Sequence, residues 1–194
     1  MTRVLVVATR NPGKASEIRQ MLGENFQVKT LADYPDMPDV IEDGETFEAN
    51  ASKKALEIAL KLNVPVLADD SGLEVDALGG RPGVHSARYG GADLPHTEKV
   101  KLLLNELLGV PDAQRTARFV CVMAYATPDG KVETRRATIE GRINHEPLGN
   151  NGFGYDPIFY LPEKNCTTAQ LPAEEKNKIS HRGKALALIL ESMR

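Results

Sequence analysis

The run "RVLVVAT", residues 3–9, constrains the fold more than any other stretch of the chain. It is apolar and β-branched with little alternation, so both faces of the strand it forms must be covered. Strands of that kind belong to sheets with helices packed over them. The chain supplies such a helix at once: "RNPGK" breaks the run, and Ile18, Met21 and Leu22 recur at helical spacing up to Gly23. "FQVKTL" (26–31) reads as a second strand, and "ADYPDMPDVIEDGE" (32–45) as an acidic loop without a period.

The same alternation continues. "TFEANASKKALEIALKLN" (46–63) predicts a helix capped by Thr46, and "VPVLADD" predicts a strand that ends on the adjacent carboxylates Asp69 and Asp70. The Gly/Pro-rich stretch 78–95 is too long for a simple connection. An amphipathic helix over 96–109 precedes two long strands within 116–143, turned at "PDG". After "NHEPLGNNG" and "FGYDPIFYLPE", two helical segments close the chain, the second capped by Ser180. The expectation is one α/β domain over residues 1–194, with a mixed central sheet flanked by helices.

Charge and composition remove several classes of function. A net charge of −3 without a basic run argues against a nucleic-acid partner, while leaving room for a single bound nucleotide. The N-terminal apolar run is too short for a signal peptide and no window approaches a membrane span, so a soluble, cytoplasmic protein is expected. Cys121 and Cys166 lie far apart and no zinc-type His/Cys spacing occurs.

Five stretches carry residues suited to chemistry. In "TRNPGK", Thr9 and Asn11 offer side-chain hydrogen bonds, Pro12 opens a helix and Gly13 allows close approach. Lys14 places a cation in the first turn, where the helix dipole disfavours it; an anion held between backbone N–H groups and Lys14 would reverse that. A capped turn with a solvated lysine fits the same residues. Asn50 and Lys54, four apart, share one helix face and either reach an anion or form a polar surface. Asp69 and Asp70 repel each other at an expected strand tip, which calls for a compensating cation. Mg²⁺ takes one or two carboxylates plus phosphates and waters. Asp70 is therefore a candidate metal ligand or base, with Ser71 beside it and Glu42 as a second carboxylate; a capped turn is the alternative. In "GNNGFGYDPIF", Phe153 and Tyr155 flank Gly154 as a stacking slot for a planar ring, with Asp156 to accept its N–H groups, or else form a glycine-rich turn. Lys176, His181 and Arg182 cluster donors at a helix start, although a histidine there also suits a structural role.

In order and spacing, "TRNPGK", "GETFEANASKKA", "LADDSGLEVDALGGRPGVHSARYGG", "NGFGYDPIF" and "EEKNKISHRGKA" resemble the inosine triphosphatase family, purine nucleoside triphosphate pyrophosphatases whose bacterial members are called dITP/XTP pyrophosphatases. The resemblance runs nearly end to end. It implies a Mg²⁺-dependent homodimer with an elongated mixed sheet, and two lobes with the active site in the cleft between them. It implies hydrolysis of ITP, dITP and XTP to the monophosphate and pyrophosphate. By the same resemblance Thr9, Arg10, Asn11, Pro12, Gly13 and Lys14 contact the triphosphate; from its charge, Lys14 and Lys54 are expected to stabilise the phosphates. Asp70 is the Mg²⁺ ligand and proton acceptor, Glu42 a second ligand, and Phe153 to Asp156, Lys176, His181 and Arg182 hold chiefly the base. Two positions depart from the family pattern: Ala49 precedes Asn50 where glutamate is usual, and His85 stands where tyrosine is common. A Maf-like pyrophosphatase is the neighbouring alternative, opposed by "FGYDPIF" and "SHR"; a non-hydrolytic nucleotide sensor is opposed by Asp70.

Overall fold

The structure is a computed structural model and describes residues 3–193. Seven strands form one mixed sheet in the order β2-β1-β3-β4-β5-β6-β7. They are β1 (Arg3–Val7), β2 (Phe26–Thr30), β3 (Val66–Val75), β4 (Thr116–Ala126), β5 (Val132–Ile143), β6 (Phe159–Leu161) and β7 (Cys166–Thr167). The helices are α1 (Pro12–Leu22), α2 (Phe47–Leu62), α3 (His96–Glu106), α4 (Ala173–Ile179) and α5 (His181–Ser192). The α/β class and the mixed sheet expected from the sequence are what the chain forms. β1 pairs in parallel with β2 and β3, and β6 pairs antiparallel with β5 and β7.

The chain divides into two compact units, the first made of Met1–Asp70, Cys121–Ala137 and Arg182–Arg194, the second of Ser71–Val120 and Thr138–His181. In the first, Leu5, Val7, Leu67, Cys121 and Met123 pack with Ile18 and Leu22 of α1 and with Ala185, Leu186 and Ile189 of α5. The strand residues in that cluster recur at every second position, the period of one sheet face. Burial raises the Cys121 thiol pKa to about 12, so it is an inert core residue. In the second unit, Leu73 and Val75 pack with Val100 and Leu103 of α3, and with Phe119, Ile143, Ile158 and Phe159.

One expectation about the strands is overturned. β3 does not stop at Asp70 but runs on through Ser71, Gly72, Leu73 and Glu74 to Val75. Asp69 and Asp70 therefore lie mid-strand, and it is β1 that ends there, its pairing with β3 closing at Val7↔Leu67. The apolar residues Leu73 and Val75 keep the strand going, because the second unit's core needs them. The long stretch 78–95 is also ordered: a short 3₁₀ helix, Gly83–Arg88, is pinned where Leu73 N–H donates to Ser86 Oγ at 2.8 Å.

Candidate active site

Successive residues of a strand point to opposite faces. That turns the two neighbouring aspartates apart, and Lys14 and Lys54 lower the pKa of both. Asp69 continues the Leu67 face, toward α1 and α5. Its Oδ2 lies 2.9 Å from Lys14 Nζ and 3.4 Å from Arg182 Nε, and Arg182 Nη1 is 2.5 Å from Glu17 Oε2. Asp69 and Arg182 are 1% and 2% exposed. Burial would raise the Asp69 pKa, but Lys14, Arg182 and Lys54 outweigh it and hold the carboxyl well below the usual carboxylate range. The same carboxylates raise the Arg182 pKa further, against the effect of burial.

The anion that makes Lys14 tolerable at the α1 N-terminus is thus the protein's own Asp69. Nor do the first-turn amides wait for a ligand: Asn11 Oδ1 accepts from Gly13 N–H at 2.9 Å and Lys14 N–H at 3.2 Å, an N-cap worth about 1 kcal/mol. Thr9 is buried and accepts from Asn11 N–H at 3.1 Å. Arg10 turns to the acidic loop, donating to Asp39 Oδ1 at 2.7 Å, Leu31 O at 3.0 Å and Met37 O at 2.5 Å. "TRNPGK" is a closed, capped turn in this structure.

Asp70 faces α2, where Asn50 Nδ2 donates to its Oδ2 at 3.0 Å. Burial raises the Asp70 pKa; Lys14, Lys54 and the Asn50 bond pull it down and Glu42 adds to the rise, leaving it above the ordinary value. Lys54 Nζ is bonded to Glu42, and although burial disfavours its charge, Asp69, Glu42 and Asp70 together raise its pKa. A loop carboxylate, a strand carboxylate and a lysine of α2 therefore lie in one another's field. Ser71 follows Asp70 in the strand, half-buried.

Among the described residues, no three His, Cys, Asp or Glu side chains gather as a metal cage. Mg²⁺ does not require one, since it binds through one or two carboxylates with waters and substrate phosphates. Glu42 and Asp70 fit that donor set, whereas a structural zinc or an all-protein calcium site has too few ligands here.

The second unit holds the other expected residues. Gly152 (φ +73°) opens a turn that returns Asp156 onto it: Asp156 Oδ2 accepts from Phe153 N–H at 2.8 Å and from Lys176 Nζ at 2.5 Å, and Oδ1 from Thr168 Oγ1 at 2.8 Å. Both carboxylate oxygens thus serve the protein. Tyr155 is not one wall of a stacking slot: it is 5% exposed, packs in the core, and its hydroxyl donates to Ser86 O at 3.0 Å. Phe153 is the half-buried aromatic of the turn, with Lys176 Nζ 5.2 Å from its ring centroid. Gly154 follows in a left-handed conformation, φ +64°. His181 stacks on Phe119, centroids 4.9 Å apart and planes 17° from parallel.

Arg182, expected with the base-holding residues, lies in the first unit on Glu17 and Asp69, so the cluster read from "EEKNKISHRGKA" is divided between the two units. Sequence reasoning misses Glu17 and Asp69 as its partners. A signal for Glu17 does exist: it is three residues after Lys14, hence on the same helical face, and next to the core residue Ile18. Of the two departures, Ala49 and His85 are not buried, and the preceding Glu48 pairs with Arg136 at 3.0 Å.

With this geometry in hand, the similarity to known proteins is specific. The model of the Ham1 family matches residues 5–192. A dITP/XTP pyrophosphatase of Geobacillus kaustophilus is 53% identical over 96% of this chain and 92% of its own length. One of Shouchella clausii is 49% identical over 97% of this chain and 96% of its own. The Staphylococcus aureus Ham1 protein structure superposes with a TM-score of 0.87 at 41% identity, covering 99% of this chain and 100% of that one. This chain belongs to the Ham1 family.

Proposed function

We propose that the protein hydrolyses purine nucleoside triphosphates bearing a deaminated base (ITP, dITP and XTP) to the monophosphate and pyrophosphate, with Mg²⁺ as cofactor, as a cytoplasmic homodimer that clears these nucleotides from the pool. The observation that carries the reading is Asp70, a buried carboxylate held by Asn50 at 3.0 Å in the field of Glu42 and Lys54. The pyrophosphatases named above, similar over nearly their whole length, support it.

In this reading Glu42 and Asp70 hold the cation, which when bound supplies charge neutralisation for the phosphates and acidifies a water. Asp70 takes the proton of the attacking water. The water oxygen bonds to the α-phosphorus as the α–β bridging bond breaks, and its electron pair leaves with pyrophosphate. Lys54, which balances Glu42 here, and Lys14 share the polyphosphate charge. The half-buried Phe153 ring is the platform for the planar base. Hypoxanthine and xanthine present a 6-oxo acceptor where adenine presents a donor, so a site lined with N–H donors rejects ATP by leaving them unpaired.

Pyrophosphate release from ITP, XTP, dGTP and ATP, with Mg²⁺ and with chelator, tests this. ITP and XTP are expected to turn over fast, ATP poorly, and none with chelator. Asp70→Asn should lower turnover by about 10⁴-fold with the fold retained by circular dichroism. Equal rates on ATP, release of orthophosphate, or a near-normal Asp70→Asn enzyme would refute the reading.

A further inference from the structure

The sequence leaves the Asn50 carboxamide either reaching an anion or on a polar surface, but in the structure it bonds three protein groups. Its Oδ1 accepts from Gly44 N–H at 2.8 Å, and its Nδ2 donates to Asp70 Oδ2 at 3.0 Å and to Gly44 O at 3.3 Å. A primary amide has two N–H donors, so both are engaged. The side chain is 1% exposed, in the first turn of α2.

Gly44 is shaped around this amide. It is not among the glycines with positive φ, so its backbone conformation does not demand glycine. A Cβ there would instead lie 2.7 Å from Asn50 Oδ1 and 2.9 Å from Ala49 Cβ. The requirement is steric, and it is set by Asn50. Gly44 stands two residues after Glu42, at the end of the acidic loop, while the other end of the same amide holds Asp70.

We infer that Asn50 is a positioning residue that docks the acidic loop onto Asp70, fixing Glu42 and Asp70 relative to each other through one rigid amide. The inference rests on the proposed roles of those two carboxylates. Asn50 acts through its two partners, the Asp70 carboxylate and the Gly44 backbone. A neutral amide suits such a role, because it orients the Asp70 carboxylate and leaves the charge of the site to the lysines and the cation.

ITP kinetics, Mg²⁺ titration and hydrogen exchange of the Gly44 amide in metal-free protein together test this. Asn50→Ala should lower kcat about 10- to 100-fold, raise the Mg²⁺ concentration needed, and leave the ITP KM within about twofold. It should also expose the Gly44 amide to exchange. Asn50→Asp keeps an acceptor for Gly44 N–H but loses the donor to Asp70 and adds a like charge. Its Gly44 amide should stay protected while kcat falls as in Asn50→Ala. Gly44→Ala keeps Asn50 yet displaces it, and kcat should fall again; this variant and Asn50→Asp carry the test if Asn50→Ala does not fold. An Asn50→Ala enzyme with raised KM and unchanged kcat overturns the inference, because Asn50 then binds substrate. Unchanged Gly44 exchange in Asn50→Ala overturns it as well. If the parent releases no pyrophosphate from ITP, the proposed function fails, and Gly44 exchange still reads the docking by itself.

Discussion

Asp69 and Asp156 are both buried carboxylates bound to a lysine, yet the chain assembles their surroundings by different routes. Asp69 draws Lys14 from α1 and Arg182 from α5, the latter 113 residues away in sequence. Asp156 is satisfied almost locally, by Phe153 N–H three residues back, Thr168 twelve ahead and Lys176 twenty ahead. The first centre exists only once three elements of its unit have packed, and the partners named for it are full charges. The second is a glycine turn closed on itself, in which neutral donors share the work with one ammonium. Removal of one cation leaves one unbalanced negative charge at either centre, but at the first it is shared by two buried carboxylates, whereas at the second it stays on a carboxylate that keeps two neutral donors.

The largest effect is expected from Arg182→Met. It leaves Glu17 and Asp69 buried without their shared guanidinium, and breaking a buried pair in this way costs about 3–5 kcal/mol. For a chain of this size the melting temperature should fall on the order of 10 °C. The loss should depend on pH. In the parent, Asp69 has a depressed pKa, so its contribution is present above the unfolded value of about 3.9 and fades as pH falls below it. Without Arg182 the buried carboxyl binds a proton more readily when folded, so acid costs the variant less. Calorimetry should show the gap between parent and variant steady from pH 7 to about pH 4 and narrowing below it, where the parent loses the Asp69 contribution. Lys176→Met is the counterpart: Asp156 keeps two hydrogen bonds from neutral donors, and the loss should be smaller. Equal losses would break the comparison.

A mid-sized effect should come from Gly152→Ala. The residue has φ +73°, and a Cβ there would overlap Asp156 Oδ2. Strain and overpacking together should cost about 1–3 kcal/mol. Because the turn carries Phe153, the ITP KM should rise while kcat, set by Asp70, is held. A fall in kcat at constant KM would show that the two centres are not separable by function.

What is legible in the sequence follows the same division. The Phe153–Asp156 turn, the Thr46 cap and the start of α1 at Pro12 are set by local chemistry, and short motifs announce them. Continuation of β3 past Asp70 is hidden because "DDSG" reads as a turn, while the reason to stay extended lies in the second unit's core around Leu73 and Val75. Likewise the repulsion in Asp69-Asp70 is visible, but its solution by strand alternation and by a guanidinium from α5 is not, because no local pattern encodes which helix packs on which face. Tyr155 misleads for the opposite reason: an aromatic beside glycine looks like a ligand platform until the core that claims it is known.

The smallest effect concerns Arg10, which borders the first centre without belonging to it. Its guanidinium spans Asp39, Leu31 O and Met37 O, a brace on the loop that leads to Glu42. The Arg10 side chain is 38% exposed and Asp39 80%, so solvent screening limits the ion pair, and Arg10→Ala should cost about 1 kcal/mol or less. Loosening the loop should still raise the Mg²⁺ needed for half-maximal rate about two- to threefold, since Glu42 is less well held. Arg10→Lys should behave almost like Arg10→Ala, because one ammonium cannot reproduce the planar fork that reaches three acceptors. If Arg10 instead contacted the triphosphate, Arg10→Ala would raise the ITP KM at saturating Mg²⁺, and Arg10→Lys would restore much of it. The lysine variant thus separates a brace from a phosphate ligand, at the one residue of "TRNPGK" whose charge is turned toward the acidic loop.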